Sequence, residues 1–283
     1  MRRKVCVSFS GGRTSAFMAY WAKHNIDADL CFIFANTGCE HEKTLEFVDR
    51  CDKEWDLGVV WVEASVHHGQ RKASTHTEVS FDTASRQGGP FEAVISKYGV
   101  PNQKWPHCTR ELKLNPIKSY LVEKGWWGEH EMAVGIRIDE IDRMQADAKK
   151  KRIFYPLISH VPMTKDQVAE WWSRQNFDLG LPPILGNCVW CWKKSDRKLM
   201  TLAQDDPSIF DFPDRMERQY GHKSLEKTGK MATFFRLNRS AQDIIASSKE
   251  PFERWQENSP IQNALFSELD LAGGCSESCE VEW

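Results

Sequence analysis

The feature that most constrains the fold is an alternation of apolar runs with amphipathic segments near the start of the chain. Residues 5–9, 29–35 and 59–63 are apolar runs that predict strands, and residues 16–22 and 41–55 between them predict helices. Continuously apolar strands are typical of a parallel sheet that is covered on both faces. This order therefore predicts an α/β fold with a doubly wound, mostly parallel sheet that is flanked by helices.

The pattern changes in the second half of the chain. Further strands are predicted at residues 132–136 and 153–158, and from Thr164 onward the apolar spacing is helical. We therefore predict two domains, an α/β domain over residues 1–160 and a mainly helical extension over residues 161–283.

A polar segment interrupts the α/β pattern at residues 66–90, which are rich in Gly, Ser and Thr. The segment is long for a plain connection and predicts a lid or a mobile substrate loop. Its basic side chains and a second basic run are candidate contacts to a polyanionic partner, with a solvated surface as the alternative. These candidates are His67, His68, Arg71, Lys72 and residues 149–152.

Composition and charge narrow the class of protein. No apolar run approaches the ~20 residues of a membrane-spanning helix, and we expect a cytoplasmic protein without a membrane partner. The formal net charge of −2 gives no overall attraction to nucleic acid, so any such contact requires a local patch. Nine cysteines in a reducing compartment favour metal or redox chemistry over disulfides.

Two glycines stand between the first predicted strand and the first predicted helix, in Ser10-Gly11-Gly12-Arg13-Thr14-Ser15. Glycine lets backbone N–H groups approach a ligand, and the start of a helix adds free donors and the positive end of a dipole. The stretch predicts an anion site, most simply for phosphate, with a plain tight turn as the alternative. Neither G-x-x-x-x-G-K-[ST] nor G-x-G-x-x-G is matched.

A second loop, Asn36-Thr37-Gly38-Cys39-Glu40, follows the second predicted strand. Ligands of open parallel sheets bind at the carboxyl ends of the strands. Because both loops follow strands of the same predicted sheet, we expect them to lie at one edge and to form one site.

Five segments resemble, in their order, the phosphoadenosine phosphosulfate (PAPS) reductase family of the pyrophosphate-loop adenine-nucleotide-binding superfamily. The segments are residues 10–15, residues 34–40 with Thr44 and Phe47, residues 108–113 with Pro116, residues 135–140 with Arg143, and residues 155–158. The resemblance covers about residues 4 to 195 and implies an adenine nucleotide alpha-hydrolase-like fold that binds ATP or PAPS.

The resemblance also implies roles for individual residues. The implied nucleotide-binding residues are Ser8, Ser10, Gly11, Gly12, Arg13, Thr14, Ser15, Asn36, Thr37, Gly38, Glu40, Lys113, Gly135, Asp139 and Glu140. The implied catalytic residues are Cys108, Arg110, Arg137 and Cys279. Arg110, Lys113 and Arg137 are suited to clamp an oxyanion, and pairing with Asp139, Glu140 and Asp142 is the alternative. Related ATP pyrophosphatases usually have aspartate at the position of Thr14, which leaves the handling of magnesium open.

The cysteines form a second predicted site. Cys188 and Cys191 make a two-residue clip, and relatives with an iron–sulfur cluster combine such a clip with an earlier cysteine, here Cys108. The predicted ligands of a 4Fe–4S cluster are Cys108, Cys188, Cys191 and Cys275. His107 stands where these relatives carry another cysteine, so His107 or Cys279 are alternative fourth ligands, and an open iron site without a fourth ligand is a further alternative. Half of a zinc site, or a pair without metal, remain alternatives.

Three functions follow from the resemblance. In the first, ATP adenylates a substrate oxygen and a sulfur on a cluster or a cysteine displaces AMP, with a nucleic acid as one candidate acceptor. In the second, the chain is a PAPS or adenosine phosphosulfate reductase that releases sulfite through a thiol. In the third, it binds nucleotide or nucleic acid without turnover. The expected partners are an adenine nucleotide, a sulfur donor or a thioredoxin-like reductant, and a second copy in a homodimer.

Overall fold

Six strands form one sheet in the computed structural model, which describes residues 2–186, 188–225 and 229–257. The strands are β1 (Lys4–Ser8), β2 (Asp29–Asn36), β3 (Val60–Ser65), β4 (Thr75–Val79), β5 (Glu131–Ala133) and β6 (Ile153–Phe154). Their order is β4-β3-β2-β1-β5-β6, and every neighbouring pair is parallel except β3 and β4. The predicted doubly wound, mostly parallel α/β fold is confirmed.

The helices cover both faces of the sheet and continue into a helical C-terminal region. They are α1 (Arg13–Asn25), α2 (Glu42–Trp55), α3 (Gly89–Tyr98), α4 (His107–Thr109), α5 (Asn115–Glu123), α6 (Pro156–Ser159), α7 (Lys165–Ser173), α8 (Asp196–Asp205), α9 (Asp211–Tyr220) and α10 (Ala241–Ser247). Thr164 caps α7 in a capping box with Gln167, as the sequence predicts. No helix in the described ranges is long and apolar enough to cross a membrane.

Successive residues of β1 face opposite layers of the core, because side chains alternate along a strand. Val5 and Val7 pack with α1, α2 and α7, whereas Cys6 packs with α5 on the other face. A third apolar cluster joins α3 to α8, α9 and α10 around Phe210 and Phe234. The predicted boundary near residue 160 stays a prediction, and α7 contributes Val168 to the same core as α1.

The structure corrects two local predictions. Part of the predicted lid at residues 66–90 is the edge strand β4, which pairs with β3 from Ser65–Thr75 to Trp61–Val79. Its alternating threonines suit an edge strand, since β-branched side chains favour extended backbone. The predicted strand at residues 153–158 stops after Phe154, because Pro156 begins α6 and lacks the N–H that a further ladder bond requires.

Candidate nucleotide and thiol site

The candidate site lies at the carboxyl ends of β1, β2 and β5. The chain runs from β1 to β2 on one side, and β5 pairs with the other side of β1. This reversal of strand order opens a crevice at the carboxyl edge of the sheet, where ligands of doubly wound folds bind.

The phosphate loop, residues 10–15, is closely packed around Gly11. Gly11 has a φ of +83°, and a Cβ there would lie 2.6 Å from Cγ2 of Thr44. Gly12 precedes α1 and no side chain caps the helix, so the first-turn N–H groups face the crevice without a side-chain acceptor. Oγ1 of Thr44 is buried beside this loop with no hydrogen-bond partner among the described residues.

The two serines of the loop bond to each other. Oγ of Ser15 accepts from Oγ of Ser10 at 2.9 Å and donates to the carbonyl of Gly12 at 3.0 Å. The Ser15 hydroxyl therefore holds the loop closed, and its predicted contact with phosphate stays a prediction.

Arg13 points from the phosphate loop towards the segment after α7. Its guanidinium donates to both carboxylate oxygens of Asp178, at 2.7 and 2.5 Å. Burial raises the pKa of Asp178, but the bonds from Arg13 and from backbone N–H groups outweigh it and leave that pKa below its ordinary value. In this arrangement Arg13 fastens the loop to the rest of the chain.

Arg137 places a buried positive charge beside the phosphate loop. Nη1 donates to Oγ1 of Thr14 at 2.9 Å, and Nε donates to Asp139 at 3.0 Å. Glu140 lies 3.4 Å from Nη2. Arg137 is thus paired with Asp139 and Glu140, which was the alternative to an oxyanion clamp. It also contacts the phosphate loop through Thr14.

The second loop is rigid because its buried polar groups bond to one another. Nδ2 of Asn36 donates to Glu63 at 2.6 Å, and Oγ1 of Thr37 donates to Glu40 at 2.8 Å. Gly38 has a φ of +80°, which other residues adopt at a cost.

The cysteine clip joins this second loop directly. Cys188 pairs with Glu40 in an isolated antiparallel bridge. A cavity of about 30 Å³ beside it brings together Cys108, Cys188, Cys191 and Thr37. The structure therefore unites the three described cysteines that the sequence grouped and sets them next to a nucleotide loop. We call this space the cysteine cavity.

A π-helical turn, Arg110–Leu114, connects α4 to α5 and carries the predicted clamp. Such turns are frequent at functional sites. Lys113 lines the cysteine cavity, whereas the Arg110 side chain is 59% exposed and donates to Glu111 at 2.9 Å. Burial raises the pKa of Glu111, but bonds from Ser74 and Arg110 outweigh it and lower that pKa overall.

Sequence reasoning missed Lys194. This lysine is 2% exposed, and its Nζ donates to the carbonyls of Gly186, Cys188 and Val189 at 3.2, 3.0 and 2.9 Å. Its three bonds fix the turn that carries Cys188. In the sequence, Lys194 is marked only by its position close to Cys191. An exposed lysine could stand at the same position, so the sequence does not indicate that Lys194 is buried.

Comparisons with known proteins place the chain in a family. The family model described as phosphoadenosine phosphosulfate reductase domain matches residues 4–176, which is more than half of the chain. The chain belongs to the PAPS reductase family. This confirms the family predicted from the five segments and supports nucleotide binding at the family level.

The PAPS reductase-family chain is also similar to individual proteins. It is 33% identical to the uncharacterised nin region protein ORF290 of Escherichia phage lambda, over 97% of this chain and 94% of the relative. It is 31% identical to the uncharacterised protein MJ0973 of Methanocaldococcus jannaschii, over 41% of this chain and 22% of that protein.

Within the PAPS reductase-family site, His107 does not replace the missing cysteine. Nε2 of His107 bonds to the carbonyl of Gly99 at 3.1 Å, and the ring does not line the cysteine cavity. Burial lowers the pKa of His107. The other candidate ligands, Cys275 and Cys279, lie outside the described residues, as does the predicted catalytic role of Cys279.

The predicted 4Fe–4S cluster stays a prediction. Within residues 2–186, 188–225 and 229–257, no three His, Cys, Asp or Glu side chains are arranged to hold a metal ion. The thiols themselves are the groups on which chemistry at this site can be built.

Proposed function

We propose that this PAPS reductase-family chain is an ATP-dependent enzyme that adenylates a substrate oxygen and transfers sulfur through its cysteines. The observation that carries the proposal is the position of Thr37. This residue belongs to the second nucleotide loop and also lines the cavity with Cys108, Cys188 and Cys191. A nucleotide in the crevice would therefore have its reacting end close to three thiols.

The phosphate loop supplies the groups that bind the leaving pyrophosphate. Backbone N–H groups at the start of α1 point at the crevice, and Arg137 adds a fixed charge through Thr14. In the first step an acceptor oxygen attacks the α-phosphorus of ATP and pyrophosphate leaves into this loop. A buried, fixed donor set stabilises the charge that develops on the leaving group.

The cysteine cavity supplies the sulfur. A persulfide that a sulfane-sulfur donor has formed on one cysteine attacks the activated carbon with its outer sulfur, and AMP leaves. A second cysteine thiolate of the cavity then breaks the S–S bond, which releases the thiolated product and leaves a disulfide that an external dithiol reduces. Lys113 lines the same cavity and offers a positive charge to the anionic sulfur. Lys194 keeps the turn with Cys188 in place during this step.

A second candidate function is reduction of a sulfonucleotide, in which a thiolate attacks the sulfur of PAPS or adenosine phosphosulfate and sulfite is released. The positions of the carboxylates near the phosphate loop favour this second function. Asp139 and Glu140 are paired with Arg137, and Thr14 carries no carboxylate, so the described loop offers no acid to a magnesium ion that would accompany ATP. A sulfonucleotide can bind to such a loop without magnesium.

A paired assay separates these functions. Purified protein is given ATP with candidate acceptors and a sulfane-sulfur donor while pyrophosphate is measured, and in parallel it is given PAPS with a dithiol while sulfite is measured. We expect pyrophosphate release that depends on the acceptor. Sulfite release alone would replace the first function by the second, and binding of either nucleotide without turnover would remove both.

Iron content separates thiol chemistry from cluster chemistry. Colourless, iron-free protein from a preparation without oxygen would support sulfur transfer through the cysteines alone, with Cys108, Cys188 and Cys191 at the cavity. Brown, iron-containing protein would show that residues outside the described ranges complete a cluster, and the variant Cys275→Ser would then test that ligand.

A further inference from the structure

Basic side chains and an exposed indole belong to the segments that adjoin the cysteine cavity. Lys193 lines the cavity and Arg236 bonds to Lys193. Lys104, Trp105 and Arg110 lie within four residues of Cys108 in the chain. We call these five residues the cavity rim. Two contacts hold its parts together, since Nδ2 of Asn102 donates to the carbonyl of Thr233 at 3.2 Å and Nη2 of Arg236 donates to the carbonyl of Lys193 at 3.1 Å. The segment before α4 therefore contacts the segment before α10, which in turn contacts Lys193 of the cavity lining.

The rim is locally positive in a chain whose net charge is −2. Lys113 and Lys193 line the cavity, and no Asp or Glu is among the described residues that do so. The carboxylate beside Arg110 belongs to Glu111, which is buried and also held by Ser74 at 2.8 Å. A ligand at this wall meets positive charge and is not repelled by a facing acid.

Two buried N–H donors at this wall lack an acceptor. Trp192 lines the cavity and is 6% exposed, and its Nε1 has no hydrogen-bond partner in the described ranges. Arg236 donates through Nη2 to the carbonyl of Lys193, which follows Trp192 in the chain. Nε of Arg236 is buried and also has no hydrogen-bond partner among the described residues. A buried donor without an acceptor is costly. The pair points to a ligand rich in acceptor oxygens, such as phosphate.

Trp105 adds a surface for stacking. It is 68% exposed, and in the described part of the chain its ring makes no aromatic or cation–π contact. Trp127 is the contrasting case, since it is 44% exposed but its ring is covered by Lys118, whose Nζ lies 4.8 Å from the centroid. An uncovered indole beside arginine and lysine suits an unpaired base, because only unpaired bases offer an open face.

We propose that the cavity rim binds single-stranded nucleic acid, with backbone phosphates at Arg236 and Lys193 and a base stacked on Trp105. One part of this proposal rests on the proposed function: the bound nucleic acid is the acceptor that receives sulfur from the cysteines. Binding itself requires neither ATP nor turnover.

The test measures binding of the full chain to a fluorescein-labelled oligonucleotide of about 20 nucleotides, as single-stranded DNA, single-stranded RNA and duplex. We expect the single strands to bind more tightly than the duplex. Trp105→Ala should weaken binding by about 5- to 100-fold, the range of one base stack. Lys104→Gln and Arg236→Gln should weaken it and each reduce the salt slope by about 0.7.

Matched variants control for folding and for unspecific charge. Trp127→Ala removes an equally large exposed ring, and Lys53→Ala removes an exposed charge on α2; both should bind as the wild type does. Arg236 also bonds to Lys193, so a folding defect in Arg236→Gln is checked by the exposed variant Lys104→Gln.

Three results would overturn the proposal: wild-type affinity in Trp105→Ala, a preference for duplex, or no binding at low salt, as expected if the rim instead docks a protein. Gly12→Ala distinguishes this proposal from the proposed function, because it should lose ATP and PAPS and keep the oligonucleotide. Loss of oligonucleotide binding with intact nucleotide binding would remove the rim proposal alone.

Discussion

In the phosphate loop, Ser10, Gly12 and Ser15 bond to one another within one short stretch, whereas the cysteine cavity takes its wall from segments around residues 37, 108 and 190. The loop is closed by local bonds before any ligand arrives. The cavity depends on long-range contacts, and Nε1 of Trp192 in its lining has no acceptor among the described residues. The difference teaches that a nucleotide can bind to a preformed loop while the thiol chemistry depends on how distant segments pack.

The largest effect is expected at Gly11. Gly11→Ala would put a Cβ 2.6 Å from Cγ2 of Thr44 at a φ of +83°. We therefore expect the unfolding free energy to fall by about 3 kcal/mol and nucleotide binding to be lost. Gly58→Ala is the control, because Gly58 has a φ of +67° with nothing near its Cβ position and should cost only about 1 kcal/mol. Urea unfolding checks both, and equal losses in the two variants would show that the loop is not preformed by packing.

Cys188 tests the other side of the comparison. Cys188→Ala should reduce sulfur transfer by about two orders of magnitude or more and leave ATP affinity unchanged, because the nucleotide loops stay intact. Cys51→Ala is the control, since Cys51 lies in α2 outside the cysteine cavity and the nucleotide loops, and burial raises the pKa of its thiol. Rate and affinity are measured on the same preparations, and full activity in Cys188→Ala would contradict a role for this thiol.

Lys194 tests whether the cavity depends on one buried side chain. Lys194→Met removes three bonds to the turn and should cost about 2 kcal/mol, with slower sulfur transfer and unchanged nucleotide binding. Lys193→Met, on the neighbouring and more exposed lysine, should cost less than about 1 kcal/mol. If both variants unfold at the same urea concentration, the turn is held by other contacts.

Glu217 gives the smallest expected effect and acts through pH. Its carboxylate accepts from the N–H groups of Phe234 and Ala241, both at 2.8 Å, and so holds the segment that carries Arg236. Burial raises the pKa of Glu217 from 4.5 to about 7. The folded state therefore binds more protons between these values, and stability should fall by roughly 2 kcal/mol as pH rises from about 4.5 through 7.

The matched variant for this pH dependence is Glu217→Gln, which cannot titrate. The unfolding free energy of the wild type minus that of the variant should fall over this pH range, because histidines with a lowered pKa, such as His107, titrate alike in both proteins. Unfolding by urea at several pH values is the measurement. Parallel profiles of the two proteins would show that Glu217 does not carry the dependence.

The sheet and the loops that follow its strands could be predicted because their signals are local. The apolar runs of β1 and β2 indicate buried strands. The glycines at positions 11 and 38 indicate turns, because their backbone conformations are local. The strand β4 was missed, since a polar edge strand lacks an apolar run. The short length of β6 follows from Pro156, which lacks the N–H for a further hydrogen bond to the neighbouring strand, and this effect is also local.

The cysteines show the limit of such reasoning. Their grouping into one site could be predicted from the family pattern, but the size of the cavity and the side on which His107 lies could not. These depend on how the π-helical turn and the clip pack against the second loop, which involves residues far apart in the chain.

The sequence by itself determined the α/β class, the family and the phosphate loop at Ser10–Ser15, because strand and helix periodicity and glycine positions are properties of short stretches. Only the tertiary structure decided that Arg137 contacts Thr14, that Arg13 binds Asp178 and that Lys194 holds the cysteine turn. The physical reason is that a long charged side chain can reach several partners. The one it binds depends on burial and on which carbonyls or carboxylates the fold brings within hydrogen-bond distance.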